Sequence, residues 1–82
     1  MVISMKRRLS ELEVGQEGKI VKIDGPSSLK KKLLDMGLTP NTRIRVVRVA
    51  PLSDPVDFEV RGYQLSLRRN EAINVIVEVV NE

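Results

Sequence analysis

The chain has 82 residues, with 14 lysines and arginines against 11 acidic residues, and neither cysteine nor histidine. That length makes one domain. Without cysteine there is no disulfide framework, thiolate site or zinc ribbon, and without histidine the commonest general base and transition-metal ligand are gone.

Residues 1–8 read as a flexible N-terminal arm ahead of a domain over residues 9–82, although Val2 and Ile3 can extend an edge strand. Lys6, Arg7 and Arg8 belong to this arm, and the 11 other basic residues balance the 11 acidic ones. The net charge of +3 is thus assigned to the arm, and the domain is neutral. The start places its charges after its apolar residues, unlike a signal peptide, and no apolar run approaches the ~18 residues of a spanning helix. A cytoplasmic protein is the expectation. Leu9 to Leu12 reads as a single helical turn with both leucines facing a core, closed by Val14-Gly15. Gly18 to Ile23 is the first strand. Its adjacent Ile20 and Val21 suit a bulge or a strand partly buried on both faces. Asp24-Gly25-Pro26 then breaks the ladder.

Ser27 to Met36 is the one long helix. Leu29, Leu33 and Met36 fall at i, i+4 and i+7, with Leu34 beside them. Ser27 or Ser28 is the expected cap. Gly37 stops the helix in a left-handed conformation, and Leu38 can fold back on the last turn. Pro40 blocks continuation, and Pro40-Asn41 is a turn pair. Arg43 and Arg45 then alternate with Ile44 and Val46, a strand. Ala50 to Pro55 holds two prolines and is a connecting loop. Val56 to Arg61 and Tyr63 to Arg68 alternate cleanly about a turn at Gly62, a hairpin that turns Tyr63 into the core. Arg69 to Ala72 reads as one 3₁₀ or helical turn capped by Asn70, and Arg68, Arg69 and Glu71 are expected to form a local ion pair there. Ile73 to Val80 is the last strand. Five short antiparallel strands with one apolar face hide that face by curling into a small barrel, with the helix covering one side.

Three runs carry a family resemblance. They are Leu33-Leu34-Asp35-Met36-Gly37-Leu38-Thr39-Pro40, Ala50-Pro51-Leu52-Ser53-Asp54-Pro55, and Arg61-Gly62-Tyr63-Gln64-Leu65-Ser66-Leu67-Arg68-Arg69-Asn70-Glu71-Ala72. In this order and spacing they resemble the FeoA family of ferrous-iron-transport accessory proteins, over residues 9–79. The resemblance implies a mainly β, five-stranded SH3-like barrel with one inserted helix. It also implies an adaptor that modulates a membrane transporter of ferrous iron by contact with its cytosolic GTP-binding part. The domain then meets the membrane only through that partner. Asn41 and Ser53 stand where the family commonly has glycine, and Ser53 argues that its loop needs no positive φ. The alternative is a free-standing metal-responsive or nucleic-acid-binding barrel.

No catalytic residue or cofactor is expected. No serine neighbours a candidate base, and there is no glycine-rich phosphate loop. Nucleic acid is disfavoured by a neutral domain with one Phe and one Tyr, both on apolar strand faces. A weak homo-oligomer is left open. For partner binding, Leu34, Leu38 and Leu52 are expected to line a groove between helix and prolyl loop. Pro51 and Pro55 stiffen that loop, and Lys30 or Lys31 stands on its rim. Gly37, Pro40 and Gly62 are structural turn residues. The remaining carboxylates, Asp54 and Asp57 among them, have no metal-loop spacing. Anaerobic titration calorimetry with Fe²⁺ should therefore show only weak, non-stoichiometric binding; a stoichiometric micromolar site would contradict this.

Overall fold

In the computed structural model, which describes residues 3–81, the alternation becomes one six-stranded antiparallel sheet. The strands are β1 (Ile3–Arg8), β2 (Glu17–Ile23), β3 (Arg43–Val49), β4 (Val56–Val60), β5 (Tyr63–Leu67) and β6 (Val75–Asn81), in the spatial order β1-β6-β2-β3-β4-β5. Apolar residues on every second position meet inside: Ile20, Ile44, Val46, Phe58, Val60, Leu67, Val75 and Val77 are all buried. The bulge expected at Val21 is present, as the β2–β6 register shifts between Ile20 and Lys22. A second shift, between Val46 and Arg48, bends β3 against β4. The β4–β5 hairpin turns on Arg61 and Gly62, whose φ values of 50° and 83° give the two left-handed residues of a type I′ turn. Arg61 therefore leaves the strand, which ends at Val60.

The sixth strand corrects the reading of residues 3–8 as an arm. Ile3 to Arg8 pair with Asn81 to Ile76, all of β6 but Val75. Without this strand β6 would present an open edge; with it, the outermost strand is charged, which discourages pairing with other chains. Lys6, Arg7 and Arg8 thus belong to the sheet and not to a tail. Leu9 to Glu11 form the expected single turn, a 3₁₀ helix, and Leu9 and Leu12 are buried.

Helix α1 (Ser27–Asp35) departs at its start from the expected serine cap. Pro26 is the N-cap residue, no side chain caps it, and its carbonyl accepts from the Lys30 N–H at 3.0 Å. The C-terminus follows the sequence closely. Gly37 has a φ of 97°. The Leu38 N–H donates to the Leu33 carbonyl at 3.1 Å and the Gly37 N–H to the Leu34 carbonyl at 2.9 Å, the paired bonds of a Schellman motif. That motif folds Leu38 onto Leu33, and both are fully buried.

Tyr63 is not a core tyrosine. It is 43% exposed, and its hydroxyl donates to the Met36 carbonyl at the end of α1. As the first residue of β5, opposite Val60, it reaches across to the helix terminus instead of inward. Any Cβ on Gly37 would collide with the Tyr63 hydroxyl. In the short helix α2 (Arg69–Ala72) the cap is Glu71, not Asn70. Its Oε1 accepts from the Arg68 N–H at 3.0 Å, and Oε2 meets the Lys32 Nζ at 2.6 Å. The ion pair of Glu71 is therefore with α1 and not with Arg68 or Arg69.

Two measurements follow from these contacts. Gly37→Val should cost about 1–2 kcal/mol from positive φ alone, with the Tyr63 collision added. Tyr63→Phe should cost about 1 kcal/mol and relieve part of the Gly37 penalty, so chemical denaturation of the double variant should show less than the sum. The Lys32 ammonium, helped by the Arg68 N–H, holds Glu71 below the usual glutamate range. A carboxyl depressed by folding stabilises above its unfolded pKa and loses that contribution as pH falls through its folded pKa. Glu71→Gln should then remove about 1 kcal/mol or less at neutral pH and flatten the acid limb of stability below the ordinary glutamate pKa.

Candidate protein-docking surface

The loop between β3 and β4 is built to be stiff and to leave one leucine outside. The Ala50 N–H donates to the Pro55 carbonyl at 3.0 Å, closing its neck, and the Ser53 N–H donates to the Ala50 carbonyl at 2.8 Å. Ser53 takes a φ of 69°, so the loop does need a left-handed residue, contrary to the expectation from its sequence. Serine there accepts a conformation that glycine takes without strain.

Arg69 fastens this loop to the rest of the fold. Its N–H donates to Asp54 Oδ1 at 2.9 Å, its Nε to the Ser53 carbonyl at 2.5 Å, and its Nη1 to the Ser10 carbonyl at 3.2 Å. One half-buried guanidinium thus joins the loop, α2 and the first 3₁₀ turn. These bonds form between segments far apart in the chain, and the sequence alone shows no sign of them. Two positions on, Glu71 ties the same α2 to Lys32 of α1. The loop and the long helix are both anchored on α2.

At the loop tip Leu52 is 91% exposed, the most exposed large apolar side chain among the described residues. Pro51 beside it is exposed and Pro55 half-buried. On α1, Leu34 is 42% exposed, and Lys30 and Lys31 are exposed with it. Leu38 must be withdrawn from the expected groove. Its relative exposure is 0%, because the Schellman motif turns it into the core. A groove lined jointly by Leu34, Leu38 and Leu52 therefore does not exist; what is exposed is a leucine on a braced loop and a leucine among lysines on the helix.

Just past the C-terminal end of α1 the chain turns over residues 39–42. Asn41 takes a φ of 72° after Pro40, and the Thr39 and Thr42 hydroxyls meet at 2.8 Å with the Arg61 guanidinium 3.1 Å from Thr42. Among the described residues, no three histidine, cysteine, aspartate or glutamate side chains come together as a metal set. A cleft of about 300 Å³, lined by Met5, Arg7, Glu11, Leu12, Glu13 and others, opens beside β1. No helix among the described residues is long and apolar enough to cross a membrane.

A family model, the FeoA domain, matches residues 7–79. The chain is 40% identical over 74 residues to the Fe(2+) transport protein A/Fe(2+) transporter FeoB fusion protein of Porphyromonas gingivalis. The match takes in 90% of this chain and only 9% of that relative. The NMR structure of a FeoA-like protein from Clostridium acetobutylicum superposes with a TM-score of 0.84 at 38% identity, covering 90% of this chain and 86% of that one. The fold also matches a FeoA from Stenotrophomonas maltophilia, described as an SH3 domain protein, with a TM-score of 0.77 at 21% identity over 95% of this chain and 96% of that one. The expected mainly β, SH3-like architecture is thus the observed one, with a sixth strand added. The chain belongs to the FeoA family, which is linked to ferrous iron transport.

Proposed function

We propose that this chain is an accessory domain that docks on the ferrous iron transporter, at its cytosolic GTP-binding part, and modulates transport. The observation that carries this reading is Leu52, 91% exposed at the tip of a loop held by two Arg69 hydrogen bonds, to Asp54 and to the Ser53 carbonyl. An apolar side chain kept in water by a braced loop is an anchor without its pocket. Bracing lowers the entropy lost on docking. The relative that joins an A protein to the transporter in one polypeptide supports the choice of partner. Leu34, with Lys30 and Lys31 beside it, supplies a second, basic contact suited to an acidic patch. Pro51 and Pro55 set the shape of the loop.

The test is a binding assay between the full chain and the transporter's purified cytosolic part. Leu52→Asp should weaken binding at least tenfold, about 1.4 kcal/mol or more, while the melting curve stays near wild type. Cells carrying that variant should lose transporter-dependent iron uptake. Unchanged binding by Leu52→Asp would sink the reading.

A further inference from the structure

The basic residues of β1, β6, β2 and β3 fall into register on the outer face of the sheet. Lys6 stands opposite Glu78, Glu78 opposite Lys19, and Lys19 opposite Arg43, one row across four strands. In the next row Arg8 stands opposite Ile76, and Ile76 opposite Lys22. The alternate positions Ile20, Ile23, Val75 and Val77 fill the core, so these rows face outward. Five cations share the two rows with one acid, Glu78.

Neighbouring acids neutralise this face only loosely. Lys22 meets Asp24 and Arg43 meets Glu17, each at 3.5 Å, with the lysine 64% and the arginine 75% exposed. Such long, wet pairs hold little. Among the described residues, no ion pair within 4.0 Å involves Lys6, Lys19 or Glu78. Lys19 directly opposite Arg43 is a like-charge pair, which weakens a sheet. A neutral residue at either position would remove that repulsion. A local conflict kept on an exposed face marks a surface under a demand other than stability.

The chemistry of the face selects its occupant. Its two aromatic rings lie elsewhere, Phe58 in the core and Tyr63 on β5, so stacked bases have no platform here. Ile76 is only half-buried among the cations, and no fully exposed apolar anchor of a protein hot spot accompanies it. Spread positive charge without pocket or anchor fits a surface whose negative charge is itself spread and laterally mobile, a layer of anionic lipid headgroups. We infer that the outer face of β1, β6, β2 and β3 binds the anionic headgroups of a membrane through Lys6, Arg8, Lys19, Lys22 and Arg43. The inference rests on the transporter reading only for which membrane is near, not for the lipid affinity itself.

Co-sedimentation of the full chain with vesicles tests this directly. It should bind vesicles of phosphatidylcholine mixed with phosphatidylglycerol, fail to bind phosphatidylcholine alone, and be released as salt rises. Lys19→Gln with Arg43→Gln should lower partition about 25-fold, about five-fold for each cation. Lys30→Gln with Lys31→Gln removes the same charge from α1 and should lower it less than about three-fold. Should the first pair fold poorly, Lys6→Gln with Lys22→Gln tests the same face. Equal losses from face and helix variants would overturn the inference, since net charge would then explain the binding. So would no binding to the anionic vesicles, or capture of a single-stranded oligonucleotide through Lys19 and Arg43 in place of vesicles. Binding of the transporter's cytosolic part without lipid should be unchanged in the Lys19/Arg43 variant, so either idea can fail alone.

Discussion

The end of α1 is the constraint on which most of this fold depends. Gly37 must be left-handed for the helix to stop, and it must lack a side chain for Tyr63 to reach the Met36 carbonyl. Two requirements of different origin, one local and one tertiary, meet at one residue. Meeting them turns Leu38 into the core against Leu33 and docks the β4–β5 hairpin on the helix terminus. The hairpin in turn sends Arg61 to Thr39 and Thr42, closing the turn that follows Gly37. A single helix stop thereby fixes the approach of three segments.

Helix α2, though only Arg69–Ala72, plays the joining role on the other side. Arg69 holds the loop that carries Leu52, and Glu71 holds Lys32 of α1. The same capping device closes both short helices, since Glu11 Oε1 accepts from the Arg8 N–H at 2.7 Å as Glu71 does from Arg68. A glutamate three residues into a short turn satisfies an otherwise orphaned backbone donor. In α2 the second carboxylate oxygen is left over for a tertiary partner, and Lys32 takes it.

Features governed by local rules were legible in the sequence: the helix face of Leu29 and Leu33, the stop at Gly37, the Val21 bulge and the alternation of Val56, Phe58 and Val60. Exposure of Leu52 followed equally from its place between prolines. What escaped depended on neighbours remote in the chain. Strand β1 was hidden because its charges resemble a tail, and only the open edge of β6 calls it into the sheet. Tyr63 sits in an apolar alternation but at the edge-most position of β5, where the helix terminus offers a hydrogen-bond acceptor. Leu38 was expected both to fold back on the helix and to line a groove; the motif that does the first forbids the second. Arg69 looked like half of a local ion pair, and its three backbone and carboxylate partners became visible only once distant segments met.

The pairing of β1 with β6 has a consequence for how such a domain is joined to others. Ile3 lies opposite Asn81, so the polypeptide enters and leaves the sheet side by side at one corner. A tether attached before β1 and a tether attached after β6 start from nearly the same point in space. Gene order in a fused protein therefore changes little about which faces of the domain look outward. Adjacent ends of this kind also tolerate circular permutation and insertion into a host chain, because a short linker spans them without disturbing the sheet.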